Sequence, residues 1–112
     1  MTSQGKPRAV NLDAVTEREP VPGYKVKFVH ADSMTVAFWT VSPDAPLPEH
    51  SHPHEQVATC IEGEFELTVD GTVHRMKPGT VVTIPSNVPH SARSITACRL
   101  IDVFHPVRED YR

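Results

Sequence analysis

Apolar and polar residues alternate with a period of two along much of this chain. The clearest stretch sets Phe65, Leu67 and Val69 against Glu64, Glu66 and Thr68, the pattern of a strand with one buried face. Seven runs rich in Val, Thr, Ile and Phe share this texture, at residues 24–30, 34–41, 56–63, 64–71, 72–76, 80–85 and 95–105. Turn residues separate most of them: Pro43-Asp44, Gly63, Asp70-Gly71, Pro78-Gly79, and Pro85 to Asn87. Asp70-Gly71 between two such runs predicts a tight hairpin, because both residues tolerate positive φ. No stretch keeps apolar residues at helical spacing for three turns. Residues 1–23 are polar and Pro-punctuated and predict an N-terminal arm, with one short strand around Ala9 to Leu12. A barrel unit then runs from residue 24 to residue 112. The expected architecture is all-β, a small barrel or two-sheet sandwich.

Composition narrows this further. At 112 residues the chain is one domain, long enough to bury a core without staples. Its 11 prolines are about twice the usual share and oppose long helices. A net charge of −3 with no basic stripe excludes a protein that tracks nucleic-acid phosphates. No apolar run is long enough to span a membrane. The N-terminus lacks the apolar centre of a secretory signal, and a cytoplasmic protein is expected. Cys60 and Cys98 sit inside apolar runs and read as buried free thiols, without the spacing of a redox or catalytic pair.

The chemistry lies in the seven histidines, three of which fall in Pro48-Glu-His-Ser-His-Pro-His-Glu-Gln56. On a strand, His50 and His52 point to the same face about 6.6 Å apart, close enough to converge on one ion. Pro53 then bends the chain, and Gln56 returns to that face. Glu55 is the rival ligand, but alternation turns it away. His54 also points away and reads as a surface residue or a brace for a ligand. His90, in the rigid turn from Pro85 to Pro89, is the fourth donor. His30, His74 and His105 have no spacing partner.

Two spacings carry a resemblance. Asp44-x5-His50-x-His52-x3-Gln56-x6-Gly63 and Gly79-x5-Pro85-x-Asn87-x2-His90-x3-Ser94 resemble the two signature motifs of the cupin superfamily. The fold this implies is a single-domain cupin, a double-stranded β-helix or jelly-roll-like barrel. Asp44 and Asn87 stand where the motifs have glycine, and both residue types tolerate left-handed backbone. Ser94 replaces the motif's asparagine. Gln56 replaces its glutamate, so the donors His50, His52, Gln56 and His90 are all neutral. They would hold one divalent ion at its full charge, a stronger Lewis acid toward an anionic ligand. Zn, Ni, Fe, Mn or Co all suit such a shell.

In the run from Cys98 to His105, alternation puts Cys98, Leu100, Asp102 and Phe104 on one face. The opposite face is also largely apolar, so Asp102 is costly there unless it is paired, linked to the metal, or functional. A structural hydrogen bond is the plain alternative, and Phe104 serves equally as core. Phe38 and Trp39 lie on opposite faces of one strand, and parity does not say which is inward. The chain is similar to one small-cupin group in particular, the cupins that linearise 4,5-unsaturated uronates in pectin and alginate breakdown. That resemblance implies the His, His, Gln, His ligand set and an Asp-x-Phe-x3-Arg tail falling on Asp102, Phe104 and Arg108. Asp102 is then the general acid/base, Phe104 a pocket wall, and Arg108 the clamp for a substrate carboxylate. Arg108 paired with Glu109 or Asp110 is the alternative for that residue.

Two other functions fit the ligands. One is an Fe- or Mn-dependent dioxygenase acting on a small aromatic or diketone, although Gln56 occupies the carboxylate's place in the usual facial triad. The other is a non-catalytic module binding a small metabolite. In each case the partner is a small molecule, for the enzyme one bearing a carboxylate. A homodimer is expected, with the arm able to add a strand to a neighbour's sheet.

Overall fold

The computed structural model describes residues 5–112. Its strands are β1 (Arg18–Val21), β2 (Tyr24–His30), β3 (Thr35–Val41), β4 (Pro46–His50), β5 (Glu55–Glu62), β6 (Phe65–Val69), β7 (Thr72–Met76), β8 (Val81–Ile84), β9 (His90–Ser94) and β10 (Cys98–His105). A six-stranded sheet runs in the order β1-β2-β3-β10-β5-β8, and a four-stranded sheet in the order β4-β9-β6-β7. Every pairing is antiparallel. Among the described residues the only helical elements are short 3-10 turns at Leu12–Ala14 and Glu109–Tyr111. No helix among the described residues is long and apolar enough to cross a membrane.

The seven runs marked by alternation become β2, β3, β5, β6, β7, β8 and β10, with ends moved by at most three residues. Three further strands lack the apolar pattern, each for a physical reason. β4 carries Pro46 and Pro48, tolerated because it is an edge strand whose ladder needs no donor on its open side. β9 turns His90, Ala92 and Ser94 inward, a face of small or polar side chains. β1 is an exposed edge strand that pairs with β2 of its own chain, Arg18 against Val26 and Val21 against Tyr24. The strand expected around Ala9 to Leu12 does not form. Asn11 accepts a hydrogen bond from the Asp13 amide at 3.0 Å instead, and this side-chain contact starts a 3-10 turn.

The two sheets close over one interior. Tyr24, Val41, Cys60, Phe65, Met76, Ile84 and Cys98 fill its deep end, and Val26, Phe28, Ala37 and Phe104 pack nearer the opposite end. In β10 the inward residues Cys98, Leu100, Asp102 and Phe104 are all buried, while Ile101 and Val103 on the outer face are only half-buried. Both cysteines are free and buried, and burial pushes both thiols up, which leaves them inert.

The turns explain the motif positions. Asp44 and Asn87, standing for glycines, do adopt left-handed backbone, with φ of 52° and 64°. Asp70 and Gly71 form the two-residue loop between the paired Val69 and Thr72, both at positive φ. Gly63 is required twice over. Its φ is +85°, and a Cβ there would lie 2.1 Å from the Ala97 carbonyl oxygen. The Ser94 hydroxyl accepts from the Ala45 amide at 2.9 Å and donates to the Ser42 carbonyl, so the end of the second motif pins the turn that opens the first.

Candidate metal centre

β4 and β9 are register neighbours, and their pairing sets His50 directly opposite His90. Their ring centroids lie 4.2 Å apart. His52 arrives differently from the strand spacing expected. β4 ends at His50, and a bend through Pro53 and His54 brings the His52 ring to 4.9 Å from that of His90. Gln56 follows on β5, buried and inward, while Glu55 is exposed on the other face. The ligating nitrogens of His50, His52 and His90 all lie within 4.8 Å of one another. Donors about 2.1 Å from one ion stand at most about 4.2 Å apart, so the set closes on an ion with shifts of a few tenths of an ångström.

The hydrogen bonds fix which nitrogen faces inward. His50 Nδ1 lies 2.9 Å from the Pro48 carbonyl, His52 Nδ1 3.0 Å from that of His54, and His90 Nδ1 2.9 Å from that of Val88. A carbonyl only accepts, so each Nδ1 carries the proton. In a neutral ring each Nε2 then presents a bare lone pair, the arrangement that orients histidine ligands in metal sites. Burial, with Arg108 nearby, pushes His52 down to about 4, and burial also lowers His90, so both rings stay neutral near pH 7. His90 Nε2 is buried with no hydrogen-bond partner among the described residues. His52 Nε2 lies 3.1 Å from Gln56 Oε1. With the proton on Nδ1 that contact sets two acceptors face to face, as two ligands of a shared cation stand. The donor set therefore fits a divalent ion, through His50, His52, Gln56 and His90.

A cavity of about 110 Å³ opens beside these donors. Apolar groups including Tyr24, Trp39, Phe65 and Leu100 line its body, and Asp102, Phe104, Arg108 and Tyr111 join the histidines at its polar end. This settles the open parity: Trp39 faces inward. Asp102 is buried, and burial pushes its carboxyl up to about 7 against the ordinary 3.8. Gln56, Trp39 and Arg108 face it and pull the other way. The Trp39 indole faces the Asp102 carboxyl, although its buried Nε1 makes no hydrogen bond of full geometry among the described residues.

Phe104 is buried and meets the His52 ring edge-on at 5.6 Å. Arg108, 8% exposed, is sandwiched between Phe104 and Tyr111, its guanidinium carbon 4.7 Å from each ring centre. Its Nε and Nη2 donate to both oxygens of Asp110 at 3.0 and 2.8 Å, so that edge of the fork is already held within the chain. Sequence reasoning passed over Tyr111, which stacks on Phe28 at 4.4 Å and wedges the tail against the barrel. His54 contributes its carbonyl to His52, and its half-buried ring packs edge-on to Phe104 at 6.4 Å.

Comparison with known proteins agrees with this architecture. The model of the cupin domain family matches residues 37–104. The HTH-type transcriptional regulator PuuR of Escherichia coli (strain K12) is 30% identical over 91 residues, covering 75% of this chain and 49% of PuuR. L-ectoine synthase of Hahella chejuensis is 33% identical over 79 residues, 67% of this chain and 60% of that protein. The chain thus spans about half of PuuR and somewhat more of the synthase. The solved structure of KdgF from Halomonas sp. superposes with a TM-score of 0.86 at 23% identity, over 96% of this chain and all of that one.

Proposed function

The chain belongs to the cupin domain family, and from that premise we propose that it is a metal-dependent enzyme of small carboxylate-bearing sugar acids, opening and ketonising 4,5-unsaturated uronates. The observation that carries the reading is a buried carboxyl, Asp102, lining one cavity with His50, His52, Gln56 and His90. A catalytic acid/base works best near the operating pH, and burial brings Asp102 there. A bound divalent ion supplies Lewis-acid polarisation of a substrate oxygen. Opening the ring moves the hemiacetal hydroxyl proton, by way of Asp102, to the ring oxygen as its bond to C1 breaks, leaving a carbonyl at C1 and an enol at C5. Ketonisation then removes the enol proton and adds one at C4, so the product is an isomer of the substrate. Asp102 relays these protons. Phe104 and Tyr111 wall the site, and Arg108 supplies positive charge for a carboxylate beyond the edge held by Asp110. The fold-level likeness to KdgF and the resemblance to L-ectoine synthase support an enzymatic cupin. Metal-loaded protein is expected to consume the unsaturated uronate, read as loss of its enol-ether absorbance. No turnover with any divalent ion loaded would sink the assignment.

The likeness to PuuR favours a second reading, a metabolite-binding module. Tight binding of a small acid without any turnover is the result that would select it.

Pairing with a second copy belongs to the same proposal. Val36, Phe38, Ile101, Val103 and Val57 form a continuous outer face across β3, β10 and β5, all only half-buried. Ile61 beside them is 44% exposed. Light scattering should give twice the mass of one chain, and Ile101→Glu should halve it; a wild-type mass of a single chain would defeat the pairing.

A further inference from the structure

One row of paired residues crosses the six-stranded sheet at the level of the candidate ion. His30 of β2 pairs with Thr35 of β3, Thr35 with Phe104 of β10, and Phe104 with the donor Gln56 of β5. The tail after β10 folds back over this row and brings Arg108 and Tyr111 into the cavity wall. Three hydrogen bonds seat it. Thr35, fully buried, accepts the Arg108 amide on its hydroxyl oxygen at 2.9 Å. His30 Nδ1 lies 2.8 Å from the same oxygen, and His30 Nε2 lies 3.2 Å from the Tyr111 carbonyl. A carbonyl only accepts, so Nε2 carries the ring proton. Nδ1 is then the acceptor, and the Thr35 hydroxyl donates to it. Each donor in this chain meets one acceptor. Phe28 adds to the grip, stacked on Tyr111 at 4.4 Å and on His30 at 5.9 Å.

What the seat holds is a positive charge. Phe104 and Tyr111 clasp the Arg108 guanidinium, and Asp110 takes its Nε and Nη2. Arg108 shares the cavity wall with His50, His52, Gln56, His90 and Asp102. Its charge is felt across that space, helping to lower His52 and His90 and pulling Asp102 down against burial. A binding group works only when the contacts around it hold it to within about 0.5 Å. For Arg108 two of those contacts, Asp110 and Tyr111, belong to the tail itself, so the tail must be fixed from outside. His30 and Thr35 are the side chains that do so through hydrogen bonds. We propose that His30 and Thr35 are positioning residues for acid binding, seating the tail so that Arg108 meets the carboxylate of the ligand. This rests on the reading of Arg108 as the group that receives that carboxylate.

Calorimetry of metal-loaded full-length protein with glucuronate tests this, because glucuronate carries the carboxylate but lacks the double bond that the proposed reaction needs. Thr35→Val keeps the shape of the side chain and removes its hydroxyl. His30→Phe keeps a ring against Phe28, removes both nitrogens, and is the independent arm should loss of the Thr35 hydroxyl unfold the chain. Each should weaken glucuronate binding about fivefold, and Arg108→Gln about thirtyfold. Thr35→Ser, which returns the hydroxyl, should bind as wild type does. In the Arg108→Gln background Thr35→Val should add less than about twofold, because it acts through that charge. Wild-type affinity in Thr35→Val or His30→Phe would overturn the proposal. So would an undiminished fivefold loss in the Arg108→Gln background, the mark of a merely structural effect, or a wild type that binds no glucuronate. Turnover of the unsaturated uronate is scored separately. The expected pattern of affinities without turnover supports the seat and overturns only the reaction.

Discussion

Asp102→Asn is expected to lower turnover of the unsaturated uronate by about 10²–10⁴, the usual range for losing a general acid/base, while metal content stays at the wild-type level. The amide keeps the size of the side chain in its buried place and removes only the proton exchange. Full activity in this variant would strip Asp102 of its role. The metal-free protein offers a second readout. Burial keeps the Asp102 proton up to about 7 in the fold, whereas the unfolded chain releases it near 3.8. Its contribution to stability is thus full below about 4 and is lost as pH rises to about 7. His52 works in the opposite sense. Its folded value is pushed down to about 4, so its contribution is full above 6.5 and is lost as pH falls toward 4. Asn at position 102 removes the first contribution and leaves the second. The variant's urea midpoint should therefore climb more steeply from pH 4 to pH 7 than that of wild type.

The second large effect is on stability in the presence of the ion. Only the folded chain brings His50 and His90 opposite each other, so an ion at a hundredfold excess over its Kd stabilises the fold by about 2.7 kcal/mol. For a domain of this length that corresponds to a rise of about 10 °C in melting temperature. A chelator should reverse it. His90→Ala removes the buried Nε2 together with the ring's Nδ1 contact to the Val88 carbonyl, so its metal-free form should melt below wild type. The ion-dependent rise should vanish in that variant. An equal rise in wild type and His90→Ala would place the ion elsewhere.

The architecture was legible where side chains alternate. β2 and β7 begin and end where the apolar pattern places them. The strands that carry His50 and His90 were not legible as strands, because an inward face that serves a polar site cannot also be apolar. Their prolines and serines read as loop, and only motif spacing located the two donors. The same spacing placed Asp44 and Asn87 in left-handed turns, as observed. The convergence of His52 was anticipated by alternation along a strand, whereas it comes from the bend after β4. Two features lay outside any local pattern. The carbonyls of Pro48, His54 and Val88, which fix the histidine tautomers, are backbone groups that any residue supplies. The inward placement of Trp39 depends on the register between β3 and β10, a pairing separated by about sixty residues of sequence.

The central claim is that four neutral side chains hold one divalent ion inside the barrel. Elemental analysis after loading and desalting tests it most directly, comparing wild type with His52→Ala. The account predicts about one equivalent of ion per chain in wild type and less than a tenth of that in the variant. A wild-type protein that retains no ion after incubation with any divalent metal, or a variant that retains as much as wild type, would contradict it.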